Sequence, residues 1–297
     1  MPTSTNKKLL IISDAKPGHV NQSIAFAKLM GYEYRILEVG FKQRWFKTLG
    51  YVLSKFKIFN LNLFNYEKCM INDLTSYEFV IGAGSSTYYF VQCIASRYTM
   101  KSLVMMLPQG FDYAGFDYII AQEHDNPPLK DNIIRIPVNL SVNEPKGYLQ
   151  KSRKKSLGIV LGGNNAVFTM DVKTIKDTLD TIFAQYPNHE KYITTSRRTP
   201  KAIEELLLKY SFEYILVYSK QPEINPIPDF IDICDELFIS IDSTSMLSEA
   251  RANSEANIHV IDLKAKRFNT KFHKIAQIIQ NIDRKIDFSE YLKQIKL

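Results

Sequence analysis

Short apolar runs recur along this chain, each closed by a turn and followed by a segment with helical spacing. That alternation constrains the fold more than any other feature. Leu9–Ile12, Tyr34–Val39, Phe79–Ile81, Leu103–Leu107 and Tyr118–Ala121 read as buried strands, with Val20–Met30 and Tyr88–Tyr98 as helices between them. Strands that are apolar throughout, rather than alternately apolar and polar, belong to parallel sheets covered by helices on both faces. The rhythm breaks over Ser141–Ser156, which holds Pro145 and Gly147 and ends in the basic cluster Lys151, Arg153, Lys154 and Lys155. It then restarts. Leu157–Leu161, Lys191–Thr194, Tyr214–Tyr218, Leu237–Ile241 and Ile258–Ile261 are strand candidates, and Val172–Tyr186, Pro200–Lys209 and Met246–Ala252 are helix candidates.

At roughly 150 residues per domain, 297 residues suit two domains. The break places them at 1–143 and 154–297, with a linker between. Two Rossmann-like halves then face each other across a cleft, and the ligand is expected at the carboxyl ends of both sheets. A hydrophobic share of 45% and a charged share of 23% are those of a globular chain. The net charge of +7 suits anionic partners without choosing among them. Cys69, Cys93 and Cys234 lack any paired spacing and read as reduced core thiols. The apolar run near the start stops at Ser13-Asp14, too short for an export signal, and no run reaches the roughly 18 residues of a membrane span. The expected location is cytoplasmic, peripheral on the inner face of the membrane.

Each half opens with a strand running into a glycine-containing turn. In the first, Asp14-Ala15-Lys16-Pro17-Gly18-His19 precedes a helix that includes Gln22. Gly18 permits close backbone approach, and helix N–H groups attract anions. His19 and Asp14 are the candidates for moving a proton, His19 near neutral pH and Asp14 if desolvation raises its pKa. A tight turn with Asp14 as a cap is the structural alternative. The turn lacks the GxGxxG fingerprint, so no nicotinamide cofactor is expected. In the second half, Gly162-Gly163-Asn164 follows a buried strand, and paired glycines there favour contact with a ligand, although a plain turn explains them nearly as well.

Ser196-Arg197-Arg198-Thr199-Pro200 ends a strand and starts a helix, with Thr199 as the expected N-cap and Pro200 at the first helical position. Two arginines at the positive end of a helix dipole are unfavourable without an anion. A diphosphate held by guanidinium contacts supplies one. Ser243, Thr244, Ser245 and Met246 form a hydroxyl-rich turn into a helix, a further phosphate site, with Glu249 about one turn along and suited to two vicinal hydroxyls such as those of a ribose. A well-capped helix with a surface glutamate is the alternative. No aspartate-x-aspartate pair of the kind that clamps magnesium to a diphosphate accompanies these motifs, so no metal or cofactor is expected.

Over Phe41–Phe59, the residues Phe41, Trp45, Leu49, Val52, Phe56 and Phe59 share one helical face. Lys42, Arg44, Lys47, Lys55 and Lys57 lie around it, and no acidic residue is present. This is the composition of an interfacial helix on anionic lipid, with Phe41, Trp45, Leu49, Phe56, Lys42 and Lys47 as the contacts. A core helix with a basic outer face is the alternative.

Taken in order, Lys16-Pro17-Gly18-His19 with Gln22, Gly162-Gly163, Ser196 to Pro200, and Asp242-Ser243 through Ser245-Met246 to Ser248-Glu249-Ala250 resemble the family named for the plant elongated-mitochondria fission protein. Its bacterial members are variously described as glycosyltransferases or nucleotide-sugar epimerases. The resemblance implies the GT-B fold. A weaker similarity is to the bacterial N-acetylglucosaminyltransferases that make the lipid-linked peptidoglycan precursor. By that similarity Glu249 holds the donor ribose and Gly18-His19 faces the acceptor, although here Lys16-Pro17 stands where those enzymes have more glycine. The implied activity is metal-independent transfer of a sugar from a nucleotide-diphosphate sugar to a lipid-linked or cell-envelope glycan. The implied partners are a nucleotide sugar, a glycan or glycolipid acceptor and the anionic inner membrane surface, and not nucleic acid. A non-catalytic membrane-associated scaffold and an epimerase of the same fold are the rival readings.

Overall fold

The computed structural model describes residues 7–295, which divide into two compact units. The first runs to Ser141 and takes up the chain again from Asp287, and the second is Val142–Ile286.

In the first unit the strands are β1 (Lys8–Ser13), β2 (Glu33–Phe41), β3 (Phe64–Tyr66), β4 (Tyr77–Ala83), β5 (Lys101–Met105), β6 (Tyr118–Gln122) and β7 (Ile133–Ile136). They form one sheet in the order β3-β2-β1-β4-β5-β6-β7, parallel except for the β2–β3 pair. Helices α1 (Pro17–Leu29), α2 (Phe46–Lys55) and α3 (Tyr88–Tyr98) connect them. Five of the six β1 residues are buried, as a central parallel strand requires.

The second unit repeats the plan. Strands β8 (Ser156–Val160), β10 (Glu190–Thr194), β11 (Tyr214–Leu216), β12 (Glu236–Ser240) and β13 (Asn257–Ile261) form a parallel sheet in the order β11-β10-β8-β12-β13. Strands β9 (Phe168–Thr169) and β14 (Lys264–Ala265) make a small antiparallel pair. Helices α4 (Val172–Gln185), α5 (Lys201–Leu207), α6 (Ile227–Ile233), α7 (Thr244–Asn253) and α8 (Lys271–Gln280) belong to this unit. A last helix, α9 (Phe288–Leu292), packs on β7 of the first unit.

Each sheet grows outward in both directions from its opening strand. The order reverses between β1 and β4 in one and between β8 and β12 in the other. Where strand order reverses, the loops at the carboxyl ends diverge and leave a crevice, the usual ligand site of open α/β sheets. The loops after β1 and β4, and those after β8 and β12, therefore sit where chemistry is expected, one set per unit.

Three expectations need correction. The stretch expected as a linker belongs to the second unit: the buried Asp229 carboxylate accepts from the backbone N–H groups of Lys146 and Gly147 at 2.8 Å and of Tyr148 at 3.2 Å. The end of the expected 154–297 domain does not stay with it, because the chain from Asp287 joins the first unit and the apolar Phe288 and Leu292 of α9 are buried there. Among the cysteines, Cys93 and Cys234 are buried but Cys69 is exposed.

The expected amphipathic helix is also divided. Phe41 ends β2 and packs on Phe64 at 4.3 Å between ring centres, while Trp45 sits at the N-cap of α2. Leu49 packs against the core, as do Phe46, Tyr51 and Leu53. Lys47 is half-buried and donates to Ser85 Oγ at 2.7 Å. Phe41, Leu49 and Lys47 therefore leave the set of surface contacts, whereas Trp45, Phe56 and Lys42 remain exposed. Among the described residues, no helix is long and apolar enough to cross a membrane.

Candidate functional site

In the first unit, β1 ends in a turn through Ala15, which adopts a left-handed φ of +60°. A non-glycine residue in that conformation stores strain and marks a fixed backbone. The turn brings His19, near the start of α1, back over Asp14. His19 Nδ1 lies 3.0 and 3.1 Å from the two Asp14 oxygens, and Lys16 Nζ lies 2.9 Å from Oδ2. The Asp14 side chain is 5% exposed. Burial works to raise its carboxyl, but the Lys16 hydrogen bond and the His19 charge and hydrogen bond outweigh it and hold Asp14 below the ordinary carboxylate value. A carboxylate only accepts, so Nδ1 is the donor to Asp14, and in the neutral ring Nε2 presents a lone pair. The pair expected as alternative proton carriers is thus joined in one hydrogen-bonded dyad. Lys16 and Gly18 are exposed beside it.

A residue the sequence reading missed completes this arrangement. Gly84, in the loop after β4, has φ +84°, and a Cβ there would lie 2.3 Å from His19 Cε1. The His19 ring rests on bare backbone. Gly84→Ala is expected to turn His19 out of the dyad and to cost about 1–3 kcal/mol of stability, read by denaturant unfolding and by displacement of the His19 ring resonances in NMR. An unchanged His19 resonance would refute the contact. The signal in the sequence was Gly82-Ala83-Gly84-Ser85-Ser86-Thr87, a small-residue turn after a buried strand. Gln22 is not a loop contact. It is 5% exposed, donating to Gly18 O at 3.0 Å and accepting from Gln122 Nε2 at 2.9 Å, and so ties α1 to the end of β6.

In the second unit the organiser is Asp242, whose side chain is 0% exposed. It accepts from Ser240 Oγ at 2.6 Å, Gly163 N at 2.9 Å and Arg198 Nη2 at 2.8 Å. This corrects several expectations. The paired glycines turn inward: Gly162 N donates to Ser240 Oγ at 2.7 Å, a Cβ on Gly162 would meet Asp242 Oδ2 at 2.2 Å, and one on Gly163 would meet Arg198 O at 2.0 Å. Asn164 is exposed, but its Oδ1 accepts from Met170 N at 2.8 Å. Ser196 Oγ donates to Gly162 O at 2.7 Å. Thr199 does not cap α5, whose N-cap is Pro200. Its hydroxyl binds Gly162 O at 2.5 Å instead. Arg198 has an internal anion as its partner. These side chains lock the loops after β8, β10 and β12 to one another.

Three groups are left presented. Arg197 is exposed and carries no hydrogen bond or ion pair among the described residues. At the start of α7, Ser243 Oγ accepts from Met246 N at 3.4 Å, while the N–H groups of Thr244 and Ser245 have no acceptor among the described residues. Ser245 is exposed, and Thr244 and Met246 are half-buried. Glu249, further along α7, is half-buried with no side-chain partner among the described residues, and burial pushes its carboxyl above the ordinary value. A cation, free helix N–H groups and an unpartnered carboxylate thus lie around one switch point, a set that fits a phosphate at one end and hydroxyl donors at the other. Among the described residues, no group of three or more His, Cys, Asp or Glu side chains is placed to hold a metal ion.

Two doubly wound units, each with its loop site at the switch point of its sheet, define the GT-B class of fold. Within that class the chain belongs to the family described as mitochondrial fission ELM1, which it matches over residues 17–296. No curated protein sequence is similar to it at a significant level. Among solved structures, a Listeria monocytogenes protein described as a UDP-N-acetylglucosamine 2-epimerase is 11% identical, with 91% of this chain and 81% of that chain covered and a TM-score of 0.54. The glycosyltransferase SnogD of Streptomyces nogalater is 10% identical, with coverages of 92% and 84% and a TM-score of 0.49. MnaA of S. aureus, solved with UDP, is 13% identical, with coverages of 97% and 90% and a TM-score of 0.48. At such identities the likeness is one of fold.

Proposed function

We propose that this protein is a glycosyltransferase that moves a sugar from a nucleotide-diphosphate sugar to a lipid-linked or cell-envelope glycan. The observation that carries the reading is Glu249, a half-buried carboxylate with no side-chain partner among the described residues, on the helix that starts at the switch point of the second sheet. An unpaired carboxylate out of water is unfavourable unless a ligand completes it. Ribose hydroxyls donate to it, while Arg197 and the free N–H groups of α7 take the diphosphate. Negative charge grows on the departing diphosphate, and these groups stabilise it without a metal. In the first unit His19 Nε2 removes the proton of the acceptor hydroxyl, and Asp14 holds the ring and stabilises the resulting imidazolium. An acceptor carried on lipid is met at the inner membrane face, which suits the net charge of +7.

Because the charge is supplied by protein groups, binding of a nucleoside diphosphate should be the same in excess chelator as without it. Calorimetric titration decides this, and loss of binding on chelation, restored by magnesium or manganese, would refute it. Incubation with nucleotide sugars, with and without a lipid-linked glycan acceptor, tests the reaction itself. Transfer needs the acceptor, epimerisation does not, and a scaffold turns over neither.

A further inference from the structure

We propose that α2 and the groove beside Phe59 form a docking surface for a bilayer carrying anionic phospholipid, in which an aromatic ridge enters the interface and a lipid headgroup phosphate occupies the groove. This deepens the reading above by naming the lipid chemistry, and it rests on that reading for the acceptor's location.

The inner face of α2 is held close. Gly50 is buried, and a Cβ there would sit 3.0 Å from Tyr89 Cδ1, so the helix lies directly on that ring. At its end Lys57 N donates to Ser54 O and Ile58 N to Leu53 O, both at 3.0 Å, with Lys57 at φ +55°. This reversal returns the chain across the helix end. Tyr89 then fixes the returning segment. Its hydroxyl donates to Ile58 O at 2.8 Å and accepts from Asn60 N at 3.1 Å.

What remains outside is apolar and rigidly mounted. Trp45 is 59% exposed, Phe56 71% and Ile58 52%, and Val52 and Phe59 are exposed with them. Aromatic and branched side chains grouped on a fixed element of a folded unit mark an interaction surface. Its charge selects the partner: Lys42, Arg44, Lys55 and Lys57 are exposed around it, and residues 41–59 include no acidic residue. Phe59 also lines a groove of about 700 Å³ that is otherwise mostly polar, with Lys68 and Arg97 among its lining residues and no carboxylate. Lys68 and Arg97 are exposed, and Arg97 lies over the Tyr98 ring at 5.7 Å. Two cations beside an aromatic ridge match a lipid, whose phosphate is anionic and whose glycerol and chains are apolar. A protein partner with that charge would need an acidic rim around an apolar centre, which the vesicle test below separates.

Trp45 is the single tryptophan, so intrinsic fluorescence reports the surface directly. With vesicles of phosphatidylcholine containing a minority of phosphatidylglycerol, its emission should shift to the blue and the protein should co-sediment. Binding should be at least about tenfold stronger than to phosphatidylcholine alone, and weaker at high salt. The pair Trp45→Ser and Phe56→Ser should lose about tenfold or more in co-sedimentation. The pair Lys68→Ala and Arg97→Ala should weaken binding to anionic vesicles about tenfold and leave neutral vesicles unaffected. All four side chains are exposed, so unfolding curves should match the parent. Nucleotide titration of the same variants should be unchanged, which keeps failure here distinct from failure of the donor site. Equal binding to neutral and anionic vesicles, an unshifted Trp45 emission, or inorganic phosphate competing as effectively as lipid would each overturn the proposal.

Discussion

Gly163→Ala is expected to destabilise the protein by about 3 kcal/mol or more, because its new Cβ would stand 2.0 Å from the Arg198 carbonyl oxygen and 2.6 Å from Thr199 N. Backbone cannot rotate out of the way as a side chain can. Relief therefore requires the loops after β8 and β10 to part, with loss of the Thr199 and Ser196 bonds to Gly162 O. Asp242→Ala acts on the same node from the other side. It leaves Ser240 Oγ, Gly163 N and Arg198 without their acceptor. The Arg198 side chain is 36% exposed and finds water, so the cost falls below that of a fully buried pair, at about 2–3 kcal/mol. Denaturant unfolding reads both. Stability within about 0.5 kcal/mol of the parent in either variant would show that the loops are not locked through this node.

Glu249→Ala should weaken binding of a nucleoside diphosphate by about tenfold to a few hundredfold, since two hydrogen bonds to a charged acceptor are lost and water replaces part of them. Arg197→Ala should weaken a diphosphate and spare the bare nucleoside, because its partner is charge. The pH dependence follows from burial, which raises the Glu249 carboxyl above its ordinary 4.5. The hydroxyls donate to the ionised form, so affinity should begin to fall, on acidification, at a pH above 4.5. For folding the sign is opposite. The folded chain holds this proton more tightly than the unfolded chain, so ionising Glu249 becomes a penalty as pH rises through the folded value. Glu249→Gln should therefore bind nucleotide poorly yet unfold no more easily than the parent at neutral pH. Calorimetry with nucleoside, monophosphate and diphosphate, beside unfolding curves, tests both halves. Parent-like diphosphate binding in both the Glu249→Ala and Arg197→Ala variants would remove the donor site from the second unit.

Much of the architecture is legible without coordinates. Strand β1 and strand β12 are short, apolar and bounded by polar turns, and helix α3 spans the residues its spacing indicates. Those features are local: a strand buried on both faces must be apolar along its whole length, and a helix shows its period. Strands β3 and β7 are not legible in the sequence, because Phe64–Tyr66 and Ile133–Ile136 are too short to show any period. Helix α8 is hard to read as well, although it has an apolar stripe through Ile275 and Ile279, because Lys271, His273 and Lys274 dilute it.

The sequence by itself determined two α/β units, the turns after β1, β8, β10 and β12, and the residue types gathered there, since each rests on neighbours along the chain. Only the tertiary structure decided which of those residues face outward. Arg197 and Arg198 are adjacent and alike, yet Arg198 is joined to Asp242 across the ends of two strands while Arg197 is exposed. Trp45 and Leu49 share a helical face on paper, but Leu49 packs into the core and Trp45 stays outside because α2 begins at Phe46 and lies on Tyr89 through Gly50. Gly84 belongs to the site only because the ring of His19, far from it in sequence, rests on its bare backbone. In each case the deciding contact joins elements distant in the chain, and period and spacing carry no information about such contacts.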